Sequence, residues 1–355
     1  MRSILSFITC FFIYVSGYAQ PSLLTENNET RLLQIEDTLK DLSREMINNP
    51  LTVLRIKNDS AFVRTLVRAL RVPHSFYFPF DSVETVSKLY APDSAFRIFT
   101  WQFERDSNYF RQRGAIQMRT KDGSLQLYPL IDISDFTTKP TDSVRSGNQW
   151  IGAIYYNITV HEYNGKKYYT LFGFDDYSNL AVRKWIDVLT FDEQGKPQFG
   201  APIFKYKPDS SKPAQPAYRF VLEYKKDGRA KLNYDKDLKL IIFDHLVSET
   251  NDPSKKFTLI PDGDYEAFRW QNGAWVHIPK LFNEAADMRG IDPLLGNAPK
   301  DATIRDASGK IDEQKLMEQS LQNAAKAKQA AEAEQKQKEE AAKKRKAKLD
   351  KAKKN

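Results

Sequence analysis

The stretch FRIFTWQF (96 to 103) alternates large apolar side chains along the chain and indicates a β-strand. Phe99, Trp101 and Phe103 fall on one face of an extended chain, because successive side chains of a strand point to opposite faces of its sheet. The same period of two recurs in AIQMRT (115 to 120). These residues therefore predict the first strands of a β domain.

Nine further runs of strand-like composition follow, from LQLYPLIDI (125 to 133) to AWVHI (274 to 278). Asn-Gly and Asp-Gly are the preferred two-residue turns of β-hairpins, and they occur at Asp122-Gly123, Asn164-Gly165, Asp227-Gly228 and Asn272-Gly273. The sequence thus predicts a mainly β (α+β) fold with an antiparallel meander at residues 93 to 284. Because flat open sheets of about a dozen strands are uncommon, we expect a barrel, a sandwich or a propeller-like array.

Before the β domain, residues 20 to 92 show helical periodicity. The first predicted helix has an apolar face that steps by three and four residues, formed by Leu32, Ile35, Leu39, Leu42 and Met46, and Asn49-Pro50 ends it. A second helix is predicted to begin at Asp59 and to stop before Pro73. Asp81 and Glu84 have the spacing of a capping box and predict a short third helix.

The sequence opens with MRSILSFITCFFIYVSGYAQ, which has the charged start, apolar middle and small-residue end of a secretory signal peptide. We expect cleavage between Ala19 and Gln20, with an uncleaved anchor as the alternative. Cys10 is the only cysteine, so cleavage would exclude disulfides and thiolate chemistry from the mature chain. No later apolar run is long enough to cross a bilayer. The expected location is the periplasm or the exterior of the cell.

Positive charge is concentrated at the other end of the chain. The whole sequence carries +8, whereas residues 310 to 355 hold fourteen basic and eight acidic residues. Residues 285 to 312 have the glycine and proline content of a linker. The tail that follows, residues 313 to 355, is rich in alanine, lysine and glutamate, and its Glu-to-Lys pairs four apart favour a coiled-coil-like helix. It lacks an apolar seam, so the tail is predicted to be helical or disordered.

The basic cluster of the tail is the main binding candidate of the sequence, and it comprises Lys343, Lys344, Arg345, Lys346 and Lys348. In an exported protein these charges are expected to contact an anionic envelope surface, such as lipid phosphates or acidic polysaccharide. Nucleic acid is not an expected partner, because the protein is expected to be exported and residues 20 to 309 show no excess of positive charge. The sequence does not indicate an oligomeric state.

Most catalytic signatures are absent from the sequence. It contains no Gly-x-Gly, Gly-Lys-Ser/Thr, Gly-x-Ser-x-Gly, Ser-x-x-Lys or His-Glu-x-x-His, the local motifs of phosphate-binding loops, serine nucleophiles and helical zinc sites. The four histidines, His74, His161, His245 and His277, are far apart. We therefore predict no metal, no cofactor and no catalytic residue.

Two acidic stretches and two tryptophans are weaker candidates for a site. Asp175 and Asp176 follow a strand in a loop with Tyr177, and PDGDY (261 to 265) places two aspartates in a glycine turn. Paired carboxylates can serve as acid and base or ligate calcium, although aspartate is also a common turn former. Trp270 and Trp275 could stack on sugars, with a place in the core as the alternative.

Five Asp-Ser/Thr-apolar triplets resemble the O-glycosylation sequon of exported Bacteroidota proteins, with acceptors at Thr38, Ser60, Ser82, Ser94 and Ser143. The resemblance concerns processing and implies a lineage, not a family. An aspartate at such a position can also cap a helix N-terminus, which is the alternative interpretation of Asp59 and Asp81.

The expected function is that of an exported binding or scaffold protein of the cell envelope. The alternative is an envelope enzyme, for instance a carbohydrate-active one, whose carboxylates converge only in the fold. A cleft that holds two close carboxyl groups with shifted pKa values would favour the enzyme.

Overall fold

A computed structural model describes residues 23–106, 109–208 and 211–281, together with residues 343–344. The predicted signal peptide, the bond between Ala19 and Gln20, the linker, and Arg345, Lys346 and Lys348 lie outside the described residues. Lys343 and Lys344 are helical and exposed. The tail prediction therefore stays a prediction.

Two helices begin the described chain, α1 (Glu26–Asn48) and α2 (Thr52–Leu70). Thr25 caps α1, where its hydroxyl accepts a hydrogen bond from the Asn28 amide at 3.3 Å. The predicted apolar face of α1 is confirmed, since four of its five residues are buried and Leu42 is partly buried. It packs on α2 and on the first β-sheet.

The predicted start of the second helix at Asp59 is wrong, because α2 already begins at Thr52. Asp59 is buried within the helix and does not cap it. Its carboxylate accepts hydrogen bonds from Trp101 Nε1 at 3.2 Å and from Arg113 at 2.7 Å. These partners are more than 40 residues away in the chain, so the role of Asp59 comes from tertiary contacts that local capping rules do not include.

The predicted third helix is also absent, and turns occupy residues 81 to 86. The Ser82 amide donates to the Glu36 carboxylate of α1 at 2.6 Å, so a distant acid satisfies the group that a capping box would have used. One turn of 3-10 helix lies earlier, at Ser75–Tyr77.

The described residues contain fifteen strands after these helices. In chain order they are β1 (Ser87–Tyr90), β2 (Phe96–Asp106), β3 (Tyr109–Met118), β4 (Gln126–Ile131), β5 (Arg145–Ser146), β6 (Ile154–Tyr163), β7 (Lys166–Asp175), β8 (Ala181–Phe191), β9 (Pro197–Phe199), β10 (Phe204–Lys205), β11 (Phe220–Lys225), β12 (Leu232–Asp235), β13 (Leu240–Ser248), β14 (Leu259–Gln271) and β15 (Ala274–Ile278). The first strand begins before residue 93, inside the segment that the sequence predicted to be helical.

The strands form three sheets. The first sheet has the order β1-β2-β3-β4, the middle sheet β5-β9-β8-β7-β6 with β11 also on β8, and the third sheet β10-β15-β14-β13-β12. Strand pairing is antiparallel, as predicted, except for the parallel pair β10–β15. The prediction of a single antiparallel meander is therefore wrong, and the described strands do not close into a barrel.

The four predicted turns have different outcomes. Asn164-Gly165 and Asn272-Gly273 join β6 to β7 and β14 to β15 as two-residue hairpins, with positive φ at every turn residue. Asp122-Gly123 lies in a longer connection between β3 and β4. Asp227-Gly228 is not a hairpin turn, because β11 pairs with β8 whereas β12 pairs with β13. Local chemistry specifies the bend there, but burial decides which strands pair.

The helices and the three sheets pack in layers. Phe99, Trp101 and Phe103 of β2 face the helices, whereas Phe96 and Ile98 face the middle sheet. The other face of the middle sheet packs on the third sheet around residues such as Phe172 and Phe268. The alternation in residues 96 to 103 is thus real, but both faces of β2 are buried, so its sheet is an inner layer of the stack.

Two buried arginines fix the middle sheet and the segment before β1. Arg219 and Asp187 form an ion pair at 3.0 Å with essentially no solvent exposure, and Tyr155 donates its hydroxyl to the same carboxylate at 3.1 Å. Arg97 is also fully buried. Its guanidinium donates to the carbonyls of Phe78 and Ser75, and it thereby holds the chain between α2 and β1 against the first sheet.

Candidate functional site

A cleft of about 470 Å³ opens at one end of the interface between the middle and third sheets. Its described lining combines basic, imidazole and carboxylate groups with two apolar walls, and the residues are Lys205, Tyr206, Lys207, Lys212, His245, Glu266, His277 and Pro279. The third sheet supplies β10, β13, β14 and β15 to this lining, and Lys212 comes from the segment that leads to β11. Lys343 and Lys344, the two described residues of the basic tail cluster, are not among these lining residues.

The register of β14 and β15 brings two polar groups to the cleft. Phe268 lies in the core and pairs in register with His277, and Glu266 lies two residues before Phe268 on the same face of the strand. The imidazole of His277 packs on Phe268 and Phe243, with ring centres 5.4 and 6.2 Å apart. An aromatic floor therefore fixes the orientation of this histidine.

Glu266 is held between two basic groups. Its carboxylate lies 3.0 Å from the Lys212 ammonium and accepts a short hydrogen bond from His277 Nε2. Burial alone would raise the pKa of Glu266, but the interactions with His277 and Lys212 outweigh it and hold the pKa below its usual value. The side chains of Glu266 and Lys212 are only 5% and 8% exposed, so this is a fixed, nearly buried ion pair.

His245 lies at the irregularity of β13, between Asp244 and Leu246. Its Nδ1 contacts the carboxylate of Asp262 at 2.8 Å. Asp262 and Asp264 are part of β14, with Gly263 at positive φ between them, so their prediction as a glycine turn is wrong. Asp264 pairs with Lys280 at 3.2 Å. Each of these carboxylates thus has its own basic partner, and they do not form an acid–base pair.

The predicted group Asp175, Asp176 and Tyr177 lies away from this cleft. Asp175 is the last residue of β7, is buried, and accepts a hydrogen bond from Gln112 Nε2 at 2.5 Å. Burial raises its pKa to about 7 in spite of the opposing charge of Arg183. Asp176 pairs with Lys226 at 2.9 Å, and Tyr177 stacks under Arg183. The interpretation of Asp175 as a loop residue is wrong, because it completes a buried strand.

Trp270 and Trp275 lie at the opposite end of the same interface. Trp275 is fully buried and donates its indole N–H to Thr170 at 3.2 Å. Trp270 is half-buried and packs on Tyr168, with ring centres 5.8 Å apart. The Tyr163 ring lies on Gly273, where an added Cβ would come within 2.3 Å of it. Trp275 is therefore a core residue, as the alternative interpretation expected, whereas the indole ring of Trp270 stays partly exposed.

The structure brings together two histidines that are 32 residues apart in the sequence, since His245 and His277 both line the cleft. His74 and His161 lie elsewhere. Within the described residues, no three histidine, aspartate or glutamate side chains are grouped closely enough to hold a metal ion. Lys205, Lys207, Lys212 and Glu266 were not among the predicted site residues. The basic run KYK at 205 to 207 was a local signal for two of these lysines, and no local pattern marked Lys212 or Glu266.

The five glycosylation candidates fall on the surface or at its margin. Thr38 of α1 and Ser94 are exposed, and Ser60, Ser82 and Ser143 are half-exposed. The alternative interpretation of Asp59 and Asp81 as helix caps is wrong, because Asp59 lies inside α2 and no helix follows Asp81. Helix capping therefore does not explain the triplets that begin at Asp59 and Asp81.

Neither described helix combines the length and apolar content that a membrane-spanning helix requires. Comparison with known proteins found no matching family model, no similar curated protein and no similar solved structure. The functional argument therefore depends on the residues of the cleft.

Proposed function

We propose that this chain is an exported binding or scaffold protein of the cell envelope, and that its β domain binds a small ligand in the cleft formed by β10, β13, β14 and β15. The cleft itself carries the proposal. Its volume of about 470 Å³ lies in the range of about 300 to 1,000 Å³ that is typical of small-molecule sites. Lys212, Glu266 and His277 are fixed by ion pairs and ring packing before any ligand arrives, which lowers the entropic cost of binding.

The arrangement of carboxyl groups favours binding over acid–base catalysis. Glycoside hydrolysis usually requires two carboxyl groups on either side of the scissile bond, one of them with a raised pKa. Among the described residues that line the cleft, Glu266 is the only acid, and its pKa is lowered. Two buried acids whose pKa is raised by burial, Asp175 and Asp187, are not among the lining residues.

The ends of the sequence support the envelope as the place of action. A signal peptide at residues 1 to 19 would export the chain, and the basic cluster of the tail would add a weak attraction to anionic lipid or polysaccharide. In this proposal the tail localises the protein, and the β domain selects the ligand.

Binding in the cleft can be tested with a matched pair of substitutions. His245→Trp places a large ring at the cleft, whereas Lys236→Trp adds the same ring at an exposed position in the turn between β12 and β13. Isothermal titration of the mature chain with glucose 6-phosphate, pyrophosphate, glucose and glucosamine should detect binding of at least one probe. We expect His245→Trp to abolish that binding and Lys236→Trp to preserve it.

Two results would contradict the proposal. One is the absence of binding by all four probes. The other is equal binding by wild type and by folded His245→Trp, because the ligand would then lie outside the cleft. Turnover of a bound probe, followed by product analysis, would favour the enzyme alternative.

A further inference from the structure

We infer that the ligand of this cleft is a small organic anion with at least two negative charges, such as a phosphorylated sugar, and that Glu266 competes with it for Lys212. This inference depends on the proposed function of the cleft and adds the chemical class of the ligand. Among the described lining residues, three lysines face one carboxylate, so two positive charges have no counterpart in the lining. A dianion would balance them.

Lys205 and Lys207 are the two lysines without an acidic counterpart among the described lining residues. Lys205 ends β10 and Lys207 follows two residues later; both are exposed, and both line the cleft. Neither forms an ion pair with a described residue. Holding two like charges at one cleft is unfavourable unless an anion or solvent ions screen them. A bound anion would remove this repulsion, and a neutral ligand would leave it unchanged.

Glu266 already occupies the position of an anion between Lys212 and His277. It is nearly buried and ionised, so the deeper part of the cleft is electrically balanced in the free protein. A ligand that approaches past the two exposed lysines would share Lys212 with Glu266. The carboxylate thus limits the affinity for anions and sets the number of ligand charges that the cleft favours.

The other walls indicate an organic anion. Tyr206 and Pro279 give the cleft apolar surface, and the Tyr206 ring is held in place by Phe268 at 6.1 Å and by the hydrogen bond of its hydroxyl to the Pro213 carbonyl at 2.9 Å. An inorganic ion would use the lysines but not these walls. Lysine is a compact point charge that binds phosphate without a fixed orientation, which suits a charged group on a sugar or a similar small body.

The decisive measurement compares glucose 6-phosphate with glucose by isothermal titration. Wild type should bind the phosphate ester at least about tenfold more tightly than the neutral sugar, and the difference should shrink as salt is raised. Lys205→Glu combined with Lys207→Glu should weaken the binding of glucose 6-phosphate by about tenfold or more. Lys236→Glu, which changes the charge at an exposed position outside the lining, is the control and should leave the affinity within about twofold.

Glu266→Gln tests the competition in the opposite direction. It removes the internal carboxylate and keeps a side chain of similar size, so the affinity for glucose 6-phosphate should rise by about tenfold. Circular dichroism and thermal unfolding establish whether the variant is folded, and the double lysine variant tests the selection for an anion independently of it. Weaker binding by folded Glu266→Gln would overturn the competition.

The failure of this inference differs from the failure of the proposed function. If glucose binds as tightly as glucose 6-phosphate and His245→Trp abolishes both, the cleft is a binding site but its ligand is not selected by charge. If inorganic phosphate binds as tightly as glucose 6-phosphate, the apolar walls contribute nothing and the inference of an organic ligand is wrong. If no probe binds, both proposals are contradicted.

Discussion

The two ends of the interface between the middle and third sheets differ although β14 and β15 contribute to both. At one end, Trp270 and Trp275 meet Tyr168 and His161 of the middle sheet and fill the space with rings. At the other end the space is not filled, and Glu266 and the residues around it line the open cleft. Since a strand rises about 3.3 Å per residue, Glu266 and Trp270 are only about 13 Å apart along β14.

This comparison shows how one pair of strands can seal one end of an interface and open the other. At the aromatic end two Asn-Gly hairpins lie side by side, so that rings from both sheets reach each other. At the cleft end the inward positions carry charged side chains. Burying a charge is unfavourable unless a fixed partner of opposite charge lies beside it. The ion pair of Glu266 with Lys212 is one such arrangement. The identity of a few inward residues, and not the topology, decides where the interface is open.

Trp275→Ala should have the largest effect of the changes that test this comparison. The side chain is fully buried in the core of the interface, and truncation of a buried tryptophan typically costs about 3–5 kcal/mol. Urea unfolding at neutral pH would measure the loss. A loss below about 1 kcal/mol would show that the aromatic end does not seal the interface.

Lys212→Met should cost about 2 kcal/mol at pH 7, because it leaves a nearly buried carboxylate with one basic partner fewer. The lowered pKa of Glu266 in the folded wild type means that this stabilisation is present above the carboxyl pKa of the unfolded chain and is lost as pH falls through the folded value. The difference between variant and wild type should therefore shrink below about pH 4. Urea unfolding at pH 7 and at acidic pH would measure it, and a difference that is independent of pH would contradict the ion pair.

Trp270→Ala should have the smallest effect on stability, about 1 kcal/mol, because its ring is only half-buried. If the two ends are independent, the affinity of the cleft for glucose 6-phosphate should not change. Titration of this variant beside the wild type is the measurement. A loss of affinity would mean that the aromatic end and the cleft are coupled, and the comparison would have to be replaced by a single extended site.

Local patterns in the sequence were reliable where the physical cause is local. The alternation of Phe99, Trp101 and Phe103 and the face of α1 depend on the periods of strand and helix, which hold wherever the chain is regular. The turns at Asn164-Gly165 and Asn272-Gly273 require positive φ, which asparagine and glycine adopt readily. The roles of Asp59 and Asp175 were not predictable in this way, because their partners are distant in sequence.

Local sequence patterns were sufficient to predict the mainly β fold class, the apolar face of α1 and two of the hairpins, since each depends on a few neighbouring residues. The division into three sheets and the cleft of Glu266, His277 and three lysines depend instead on contacts between residues far apart in the chain. The physical reason is that strand pairing and burial depend on which faces meet across the whole chain. The sequence around Glu266 does not show whether its carboxylate will be exposed to water or buried in an ion pair with Lys212.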